Sequence, residues 1–277
     1  MNDVRLIIDS SSNDLTNKKE NLIVVPLTIS FGGENYLDND SLDISTYLEA
    51  MKENKIAGKT SCPSIDDWLT ALDGAEKAII LTMTSKLSGT FSSALQSKTI
   101  YQEKHPDSQI IVVDTRSAGP EMEVILEKVR ALLDSDIRWV DLDAAIAKKK
   151  TKTHLLFVLQ SLHNLSLNGR VAPALAKVAK MLKINLIGMA SKEGNLEPLA
   201  KVRGMKKVKR ELIKQMKKLD YHGGQVIIDH CENESEARKL KDDLLAEYPE
   251  AEIIIRPMKG LCSFYAEKGG LMIGFEG

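Results

Sequence analysis

Three segments rich in hydroxyl side chains are the part of this sequence best suited to bind an anion. They are Asp9–Asp14 (DSSSND), Lys59–Ser64 (KTSCPS) and Thr82–Ser93, in which seven of twelve residues are Ser or Thr. Hydroxyls and backbone N–H groups at a helix N-terminus favour a carboxylate or a phosphate, because the unpaired donors and the helix dipole act in the same direction. Ser and Thr also cap helices and fill turns, so a purely structural role is the alternative.

Established catalytic and nucleotide-binding spacings are absent from the sequence. It contains no G-x-S-x-G or S-x-x-K pattern for a serine nucleophile, and no G-x-G-x-x-G follows a predicted strand. Gly58-Lys59-Thr60 resembles the end of a phosphate-binding P-loop, but Glu53 stands where the first glycine of that loop is required. The five histidines and three cysteines lack metal-ligand spacing, so we predict neither a metal nor another cofactor. A binding protein is favoured over an enzyme with a known motif.

The elements that position these segments follow an α/β pattern, because short β-branched runs alternate with amphipathic stretches. The predicted strands are Val4–Asp9, Leu22–Phe31, Ala78–Thr82, Gln109–Asp114, Leu155–Leu159, Ile184–Ala190, Gln225–His230, Glu252–Arg256 and Leu271–Phe275. The predicted helices are Ser45–Glu53, Ile65–Leu72, Gly89–Gln102, Glu121–Leu133, Trp139–Lys150, Pro173–Leu182, Met205–Leu219 and Glu234–Glu247. Ser45 and Ser64 stand where helix N-caps belong, and Gly32-Gly33 predicts a hairpin turn. Open α/β sheets bind ligands at the carboxyl ends of their strands, where the hydroxyl segments are expected.

The charge of the chain is divided between its two halves. Residues 1–147 contain 14 basic and 24 acidic side chains, whereas residues 148–277 contain 24 basic and 15 acidic ones. This division predicts two units, 1–153 and 154–277, that pack together without a flexible linker. With 43% hydrophobic and 28% charged residues the chain is neither disordered nor fibrous. The odd number of cysteines, and the lack of a signal-peptide pattern or a long apolar run, predict a cytoplasmic protein.

The densest positive charge lies in Lys201–Arg210 and continues to Lys218. Apolar residues recur at helical spacing within it, which predicts a helix with one apolar and one cationic face. The cationic face is either only solvated or a docking surface for an acidic protein or for anionic lipid. Nucleic acid is the least favoured partner, because Tyr221 is the single nearby aromatic residue and no nucleic-acid-binding motif surrounds the cluster.

Seven short motifs together resemble those of the DegV family and cover nearly the whole chain. In chain order they are Asp9–Leu15, Val25–Leu27, Lys59–Ser64, Lys86–Ala94, Val113–Ser117, Asn168–Arg170 and Lys201–Gly204. The resemblance implies one DegV domain over residues 4–275, made of two packed α/β lobes, each a sheet flanked by helices. It implies a long-chain fatty acid, such as palmitate, buried in the cleft between the lobes. It also implies a non-catalytic subunit that presents the acyl carboxylate to a separate ATP-binding fatty acid kinase subunit, which forms an acyl phosphate for lipid metabolism.

The same resemblance implies which hydroxyls bind the carboxylate. Thr60 and Ser93 match the carboxylate-binding hydroxyls of the family, and Ser61, Ser88 and Thr90 are their neighbours.

Two further residues complete the site that the resemblance implies. Arg170 matches the arginine of a Gly-Gly-Arg segment, in which Asn168 here replaces the first glycine. Its role is either to hold the carboxylate or to contact the kinase subunit. Tyr265 stands where the family has a histidine; its hydroxyl donates a hydrogen bond to a carboxylate but carries no positive charge at neutral pH.

Other functions stay open at this point. One is a stand-alone serine-dependent phosphotransferase or hydrolase, and another is an intracellular fatty-acid carrier without kinase coupling. A purely regulatory role has no sequence feature of its own. The length and saturation of the acyl chain are not determined, because the depth of a pocket depends on packing.

Overall fold

The computed structural model describes residues 4–17, 21–53, 58–171 and 184–277. Its strands are β1 (Val4–Asp9), β2 (Leu22–Val25), β3 (Thr28–Phe31), β4 (Glu34–Leu37), β5 (Lys59–Ser61), β6 (Lys77–Thr82), β7 (Gln109–Asp114), β8 (Thr153–Leu159), β9 (Asn185–Ala190), β10 (Leu196–Val202), β11 (Gln225–His230), β12 (Glu252–Pro257) and β13 (Leu271–Glu276). Its helices are α1 (Ile44–Glu53), α2 (Ile65–Leu72), α3 (Thr90–Lys104), α4 (Pro120–Leu133), α5 (Trp139–Lys150), α6 (His163–Leu167), α7 (Met205–Lys218), α8 (Glu234–Glu247) and α9 (Gly260–Ala266). The predicted helix Pro173–Leu182 lies outside the described residues.

Four parallel strands form the first sheet, in the order β2-β1-β6-β7. Helices α2 and α3 cover one face of this sheet, and α4 and α5 pack on the other. Strands buried on both faces are continuously apolar in parallel sheets, and the central residues of β1 (Leu6–Ile8) and β6 (Ala78–Leu81) follow that rule. The carboxyl ends of β1, β6 and β7 therefore bring the loops that follow them to one edge.

The predicted strand Leu22–Phe31 is wrong in one respect, because it consists of two strands in different sheets. Pro26, which lacks an N–H group for a ladder, lies between β2 and β3. Strand β3 instead forms a small antiparallel sheet, in the order β4-β3-β5. The predicted hairpin turn is confirmed, since Gly32 and Gly33 have φ angles of 63° and 86°. Strand β5, which was not predicted, holds Thr60 opposite Ile29.

Of the two predicted helix N-caps, Ser64 is confirmed and Ser45 is not. At α2 the Ser64 hydroxyl accepts from the Asp67 N–H, and the Asp67 carboxylate accepts from the Ser64 N–H, so the predicted cap is confirmed as a capping box. At α1 the prediction of Ser45 is wrong. The helix begins at Ile44, and the Asp43 carboxylate accepts from the Thr46 N–H at 2.9 Å.

Six strands from Thr153 onward form a mixed sheet, in the order β10-β9-β8-β13-β11-β12. Alternate residues of β8 point to opposite faces. Leu156 and Val158 pack with α7 and α8 on the outer face, whereas Leu155 and Phe157 belong to a separate cluster on the inner face. Strand β10 and helices α6 and α9 were not predicted.

Helices α4 and α9 connect the two halves of the molecule. Helix α4 packs against β8, β11 and β13, and Gly274 on β13 permits the close approach, since a Cβ there would lie 2.5 Å from the Pro120 carbonyl carbon. Leu261 and Phe264 of α9 join the core of the first half. The α/β fold class is confirmed. Strands before and after residue 153 lie in different sheets, and the division into two domains at that residue stays a prediction.

Candidate functional site

A cavity of about 390 Å³ lies between the carboxyl ends of the first sheet and the inner face of the six-stranded sheet. Small-molecule sites range from about 300 to about 1,000 Å³. Much of the lining is apolar and comes from β8, α9 and β13, including Leu155, Phe157, Leu159, Leu261, Ala266 and Met272. Such a lining favours an apolar ligand or the apolar part of an amphiphile.

Thr60 on β5 and Tyr265 on α9 meet at this cavity. Their hydroxyl oxygens lie 2.7 Å apart, although 205 residues separate them in the sequence. Burial raises the pKa of Tyr265, while the hydrogen bond to Thr60 and the charge of Arg170 oppose that rise. Tyr265 is therefore a neutral phenol at neutral pH. Because each hydroxyl both donates and accepts, the pair keeps a hydrogen to donate to a ligand.

Arg170 lines the same cavity and follows the last turn of α6. Gly169, with a φ of 67°, turns the chain so that the Arg170 Nη1 donates to the Asn168 carbonyl oxygen at 2.7 Å. The Asn168 side chain in turn donates to the Gly58 carbonyl oxygen at 3.1 Å, just before β5. Asn168 thus connects the segment of Arg170 to the strand of Thr60.

Ser61 and Ser88 also line the cavity, whereas Thr90 and Ser93 lie outside the lining that the structure describes. The Thr90 hydroxyl, which is fully buried, lies 2.7 Å from that of Ser88. The Ser93 hydroxyl accepts from the Trp68 Nε1–H at 3.0 Å and donates to the Thr90 carbonyl oxygen at 3.0 Å. Ser93 contacts α2 in this way, so its assignment to the carboxylate stays a prediction.

The structure thus brings together most of the residues that the sequence analysis named. Those that line the cavity are Thr60, Ser61, Ser88, Arg170 and Tyr265.

Thr84 and Arg116 form a second polar part of the lining that was not singled out from the sequence. The Thr84 hydroxyl donates to the Gly194 carbonyl oxygen at 2.8 Å, and the Arg116 Nη1 donates to the Lys192 carbonyl oxygen at 3.1 Å. Both bonds connect the first half to the turn between β9 and β10. Thr84 lies in the hydroxyl-rich segment Thr82–Ser93 and Arg116 lies in the motif Val113–Ser117, but no spacing indicated a partner 76 or more residues away.

The first hydroxyl segment serves the structure more than the cavity. The Asp9 carboxylate is buried and accepts from the Ser11 N–H at 3.0 Å and from the Met83 N–H at 2.6 Å. Burial raises the pKa of Asp9 to about 6, and these hydrogen bonds oppose the rise. The Ser10 hydroxyl accepts from the Leu27 N–H at 3.0 Å. For this segment the structural role is the better account.

The described part of the chain contains neither a metal site nor a membrane span. Within it, no group of three or more His, Cys, Asp or Glu side chains is arranged to hold a metal ion. None of the helices there is long and apolar enough to cross a bilayer. The three cysteines are unpaired; Cys62 is exposed, and Cys231 and Cys262 are buried.

A family model decides the relationship of this chain to known proteins. The model of the DegV family, which is described as a family of uncharacterised proteins, matches residues 3–276. The chain belongs to the DegV family. A DegV domain-containing protein of Streptococcus pneumoniae is 40% identical over 254 residues, which cover 92% of this chain and 90% of the relative.

Two solved structures share the DegV fold of this chain. A DegV family protein from Eubacterium eligens, loaded with heptadecanoic acid, is 37% identical with a TM-score of 0.94, and the match covers 99% of both chains. The Fatty Acid Kinase (Fak) B3 protein of Streptococcus pneumoniae, loaded with linoleic acid, is 38% identical with a TM-score of 0.94, again over 99% of both chains. The DegV fold therefore binds fatty acids. The assignment to the DegV family made from the sequence is confirmed.

Proposed function

We propose that this protein binds a long-chain fatty acid in the cavity and presents its carboxylate to a separate kinase subunit, which phosphorylates it to an acyl phosphate. The observation that carries the proposal is the Thr60–Tyr265 hydroxyl pair in an otherwise largely apolar lining. A molecule with one polar end and one apolar end matches both parts. The fatty acids carried by the two similar structures support the ligand class, and the Fak B3 protein supports the kinase partner.

The apolar lining would supply most of the affinity. Removing a tail of about sixteen carbons from water contributes on the order of 12 kcal/mol, at ~0.8 kcal/mol per methylene, before ordering costs. Hydrogen bonds to the carboxylate, at roughly 1.5–3 kcal/mol each, mainly offset its desolvation. The polar residues would therefore determine orientation more than affinity.

The head group would lie at Thr60, Tyr265 and Arg170, with Ser61 and Ser88 beside them. Neutral hydroxyls donate hydrogen bonds without protonating the carboxylate, so one of its oxygens keeps a lone pair for attack. That oxygen would attack the γ-phosphorus of ATP held by the kinase subunit, the bond to ADP would break, and the products would be acyl phosphate and ADP. The family resemblance also assigns Thr90 and Ser93 to this site. Thr90 would hold Ser88 through the bond between their hydroxyls, and Ser93, which donates to the Thr90 carbonyl oxygen, would hold Thr90.

The exposed cationic face of α7 is the surface that we assign to an acidic partner. Val208, Leu212 and Met216 of this helix are buried, as its apolar periodicity predicts. Lys206 and Arg210 are exposed. The face would contact the kinase subunit or, transiently, anionic lipid headgroups; it has no feature that favours nucleic acid. The unpaired cysteines favour a cytoplasmic location.

Extraction of the purified protein tests the proposal. Denaturing solvent followed by mass spectrometry is expected to release about one C14–C18 fatty acid per chain. Ala190→Phe, which adds a ring to the cavity lining, is expected to abolish this yield. Val140→Phe, at a position 77% exposed, is the matched control and keeps it.

Three results would contradict the proposal or part of it. Wild-type protein that yields no fatty acid and binds none after delipidation contradicts fatty-acid binding, and unaided hydrolysis of an acyl or phosphoryl ester would favour the enzyme. A carrier without kinase coupling is the second candidate, because the family resemblance implies a histidine at the position that Tyr265 occupies here. Bound fatty acid without acyl phosphate formation, when kinase subunit and ATP are added, would favour the carrier.

A further inference from the structure

Asp38 holds the N-terminus of α9, the helix that carries Tyr265. Its carboxylate is 2% exposed and accepts from the Gly260 N–H at 2.8 Å and from the Leu261 N–H at 3.0 Å. The first amides of a helix have no acceptor inside the helix, and a negative charge there interacts favourably with the helix dipole. The contact therefore holds the first turn of α9 against the loop between β4 and α1.

Neighbouring groups are arranged around this contact. A Cβ on Gly260 would lie 2.8 Å from the Asp38 Oδ1 and 2.7 Å from the Leu42 Cδ2, so only glycine fits without displacement. The buried Tyr47 hydroxyl donates to the Gly260 carbonyl oxygen at 3.0 Å. Two groups from the first half of the chain, the Asp38 carboxylate and the Tyr47 hydroxyl, thus hold the first turn of α9.

The position of α9 sets the position of the Tyr265 hydroxyl. Tyr265 lies four residues after Leu261, so the two side chains share one face of the helix, and both line the cavity. Hydrogen bonds between hydroxyls span about 2.5–3.0 Å, and a displacement of α9 by about 0.5 Å would take the Thr60–Tyr265 pair out of that range. Asp38 itself is not part of the cavity lining that the structure describes.

We infer that Asp38 is a positioning residue for the fatty-acid carboxylate, acting through α9 on Tyr265. This inference rests on the proposed function. It gives a specific role in head-group recognition to a residue outside the cavity lining that the structure describes.

A double-mutant cycle on delipidated protein, with oleate as the probe, tests the inference. Asp38→Asn keeps the size of the side chain but leaves it a single acceptor oxygen for the two helix amides. It is expected to weaken oleate binding about tenfold in the wild-type background, and less than about twofold in a Tyr265→Phe background, because the two residues act on one contact. Asp40→Asn, at an exposed position of the same loop, is the matched control and keeps the wild-type affinity.

Equal losses in the two backgrounds would overturn the inference, since Asp38 would then act on the fold as a whole. Tyr47→Phe is the second variant if Asp38→Asn does not fold: it removes the bond to the Gly260 carbonyl oxygen and keeps the ring. The same dependence on Tyr265 is expected of it, and additivity again overturns the inference. If the wild-type protein binds no oleate, the proposed function is contradicted as well. If it binds oleate and the losses are additive, only the role of Asp38 is contradicted.

Discussion

The hydroxyls of Thr60 and Tyr265 share a hydrogen bond of 2.7 Å between a strand of the first half and a helix near the C-terminus. Thr60 belongs to the small antiparallel sheet. Tyr265 belongs to α9, and the residue before it, Phe264, is buried in the core of the first half. The pair forms only when both halves are packed together. If this pair binds the head group, as we propose, ligand binding is coupled to the packing of the two halves.

Removing either hydroxyl is expected to weaken fatty-acid binding. Tyr265→Phe and Thr60→Val each remove a donor to a carboxylate, a bond of roughly 1.5–3 kcal/mol, so the Kd for oleate should rise about 10- to 100-fold. Thr60→Ser keeps the hydroxyl and is the control. Calorimetry on delipidated protein measures the Kd. Unchanged affinity in both of the first two variants would contradict the assignment of this pair to the head group.

Ser93→Ala separates the structural contact of Ser93 from the role that the family resemblance implies. Loss of the hydroxyl leaves the Trp68 Nε1–H without the acceptor seen here, and the expected loss of stability is about 1–2 kcal/mol. Oleate affinity should change less than in Thr60→Val. Urea unfolding and calorimetry measure the two effects, with the exposed Ser92→Ala as control. A larger loss of affinity than in Thr60→Val would assign Ser93 to the carboxylate after all.

Glu121 is expected to make stability depend on pH. Burial raises its pKa to about 7, although the Ser117 and Thr153 hydroxyls donate to its carboxylate. In the unfolded chain the pKa of the Glu121 carboxyl is 4.5. Between this value and about 7, the folded state therefore binds more protons than the unfolded state. The free energy of unfolding must then fall as pH rises through this window, by at most about 1.4 kcal/mol per pH unit from this group.

Glu121→Gln does not titrate and should lose this contribution. Urea unfolding of variant and wild type, from about pH 5 to about pH 8, measures the difference between their free energies of unfolding. The variant should become more stable relative to the wild type as pH rises. Parallel curves would show that Glu121 does not titrate in this range.

Arg256 on β12 should be essential to the stability of the contact between the two halves. Its Nε lies 2.9 Å from the Asp229 Oδ1 and its Nη1 lies 3.3 Å from the Asp14 Oδ1, and it also contacts Glu123. Asp229 is fully buried. Removing one partner of a buried ion pair typically costs about 3–5 kcal/mol, and we expect that loss in urea unfolding of Arg256→Ala.

Arg238→Ala is the matched control for Arg256→Ala. Arg238 pairs with Glu234 four residues earlier on the exposed face of α8, and such surface pairs contribute roughly 0.3–0.5 kcal/mol. Similar losses in both variants would contradict the importance of the buried cluster.

Charge reversal on α7 should separate partner contact from ligand binding. The combined change Lys206→Glu, Lys207→Glu and Arg210→Glu should leave oleate affinity within about twofold, because these residues are exposed and lie outside the cavity lining. Acyl phosphate formation with a kinase subunit and ATP should fall at least about tenfold if these charges steer association.

The control reverses Lys148 and Lys149, which are exposed on α5. Equal loss of acyl phosphate formation in the two charge-reversal variants would indicate a general charge effect. No loss in either variant would show that α7 does not contact the kinase subunit. Loss of binding to anionic vesicles with intact acyl phosphate formation would assign the face to lipid.

Lysine 209 illustrates why a stretch of basic residues is not uniformly available for docking. Its Nζ lies 3.4 Å from the Asp243 carboxylate of α8, and its side chain is 12% exposed. The basic stretch was evident from the sequence. The pairing of Lys209 with a neighbouring helix depends on where α8 packs, which no local pattern indicates.

The sequence by itself determined the family, the α/β class and the elements that depend on neighbouring residues. The continuous apolar runs of β1 and β11, the paired glycines of the β3–β4 turn and the capping box at Ser64 all act within a few residues, so periodicity and backbone preference reveal them. The tertiary structure alone decided which hydroxyls meet at the cavity. Ser93 contacts α2, while Tyr265 meets Thr60 because the buried Asp38 holds α9 in place. These contacts join residues far apart in the chain, and their geometry depends on how the sheets and helices pack, which the local sequence does not specify.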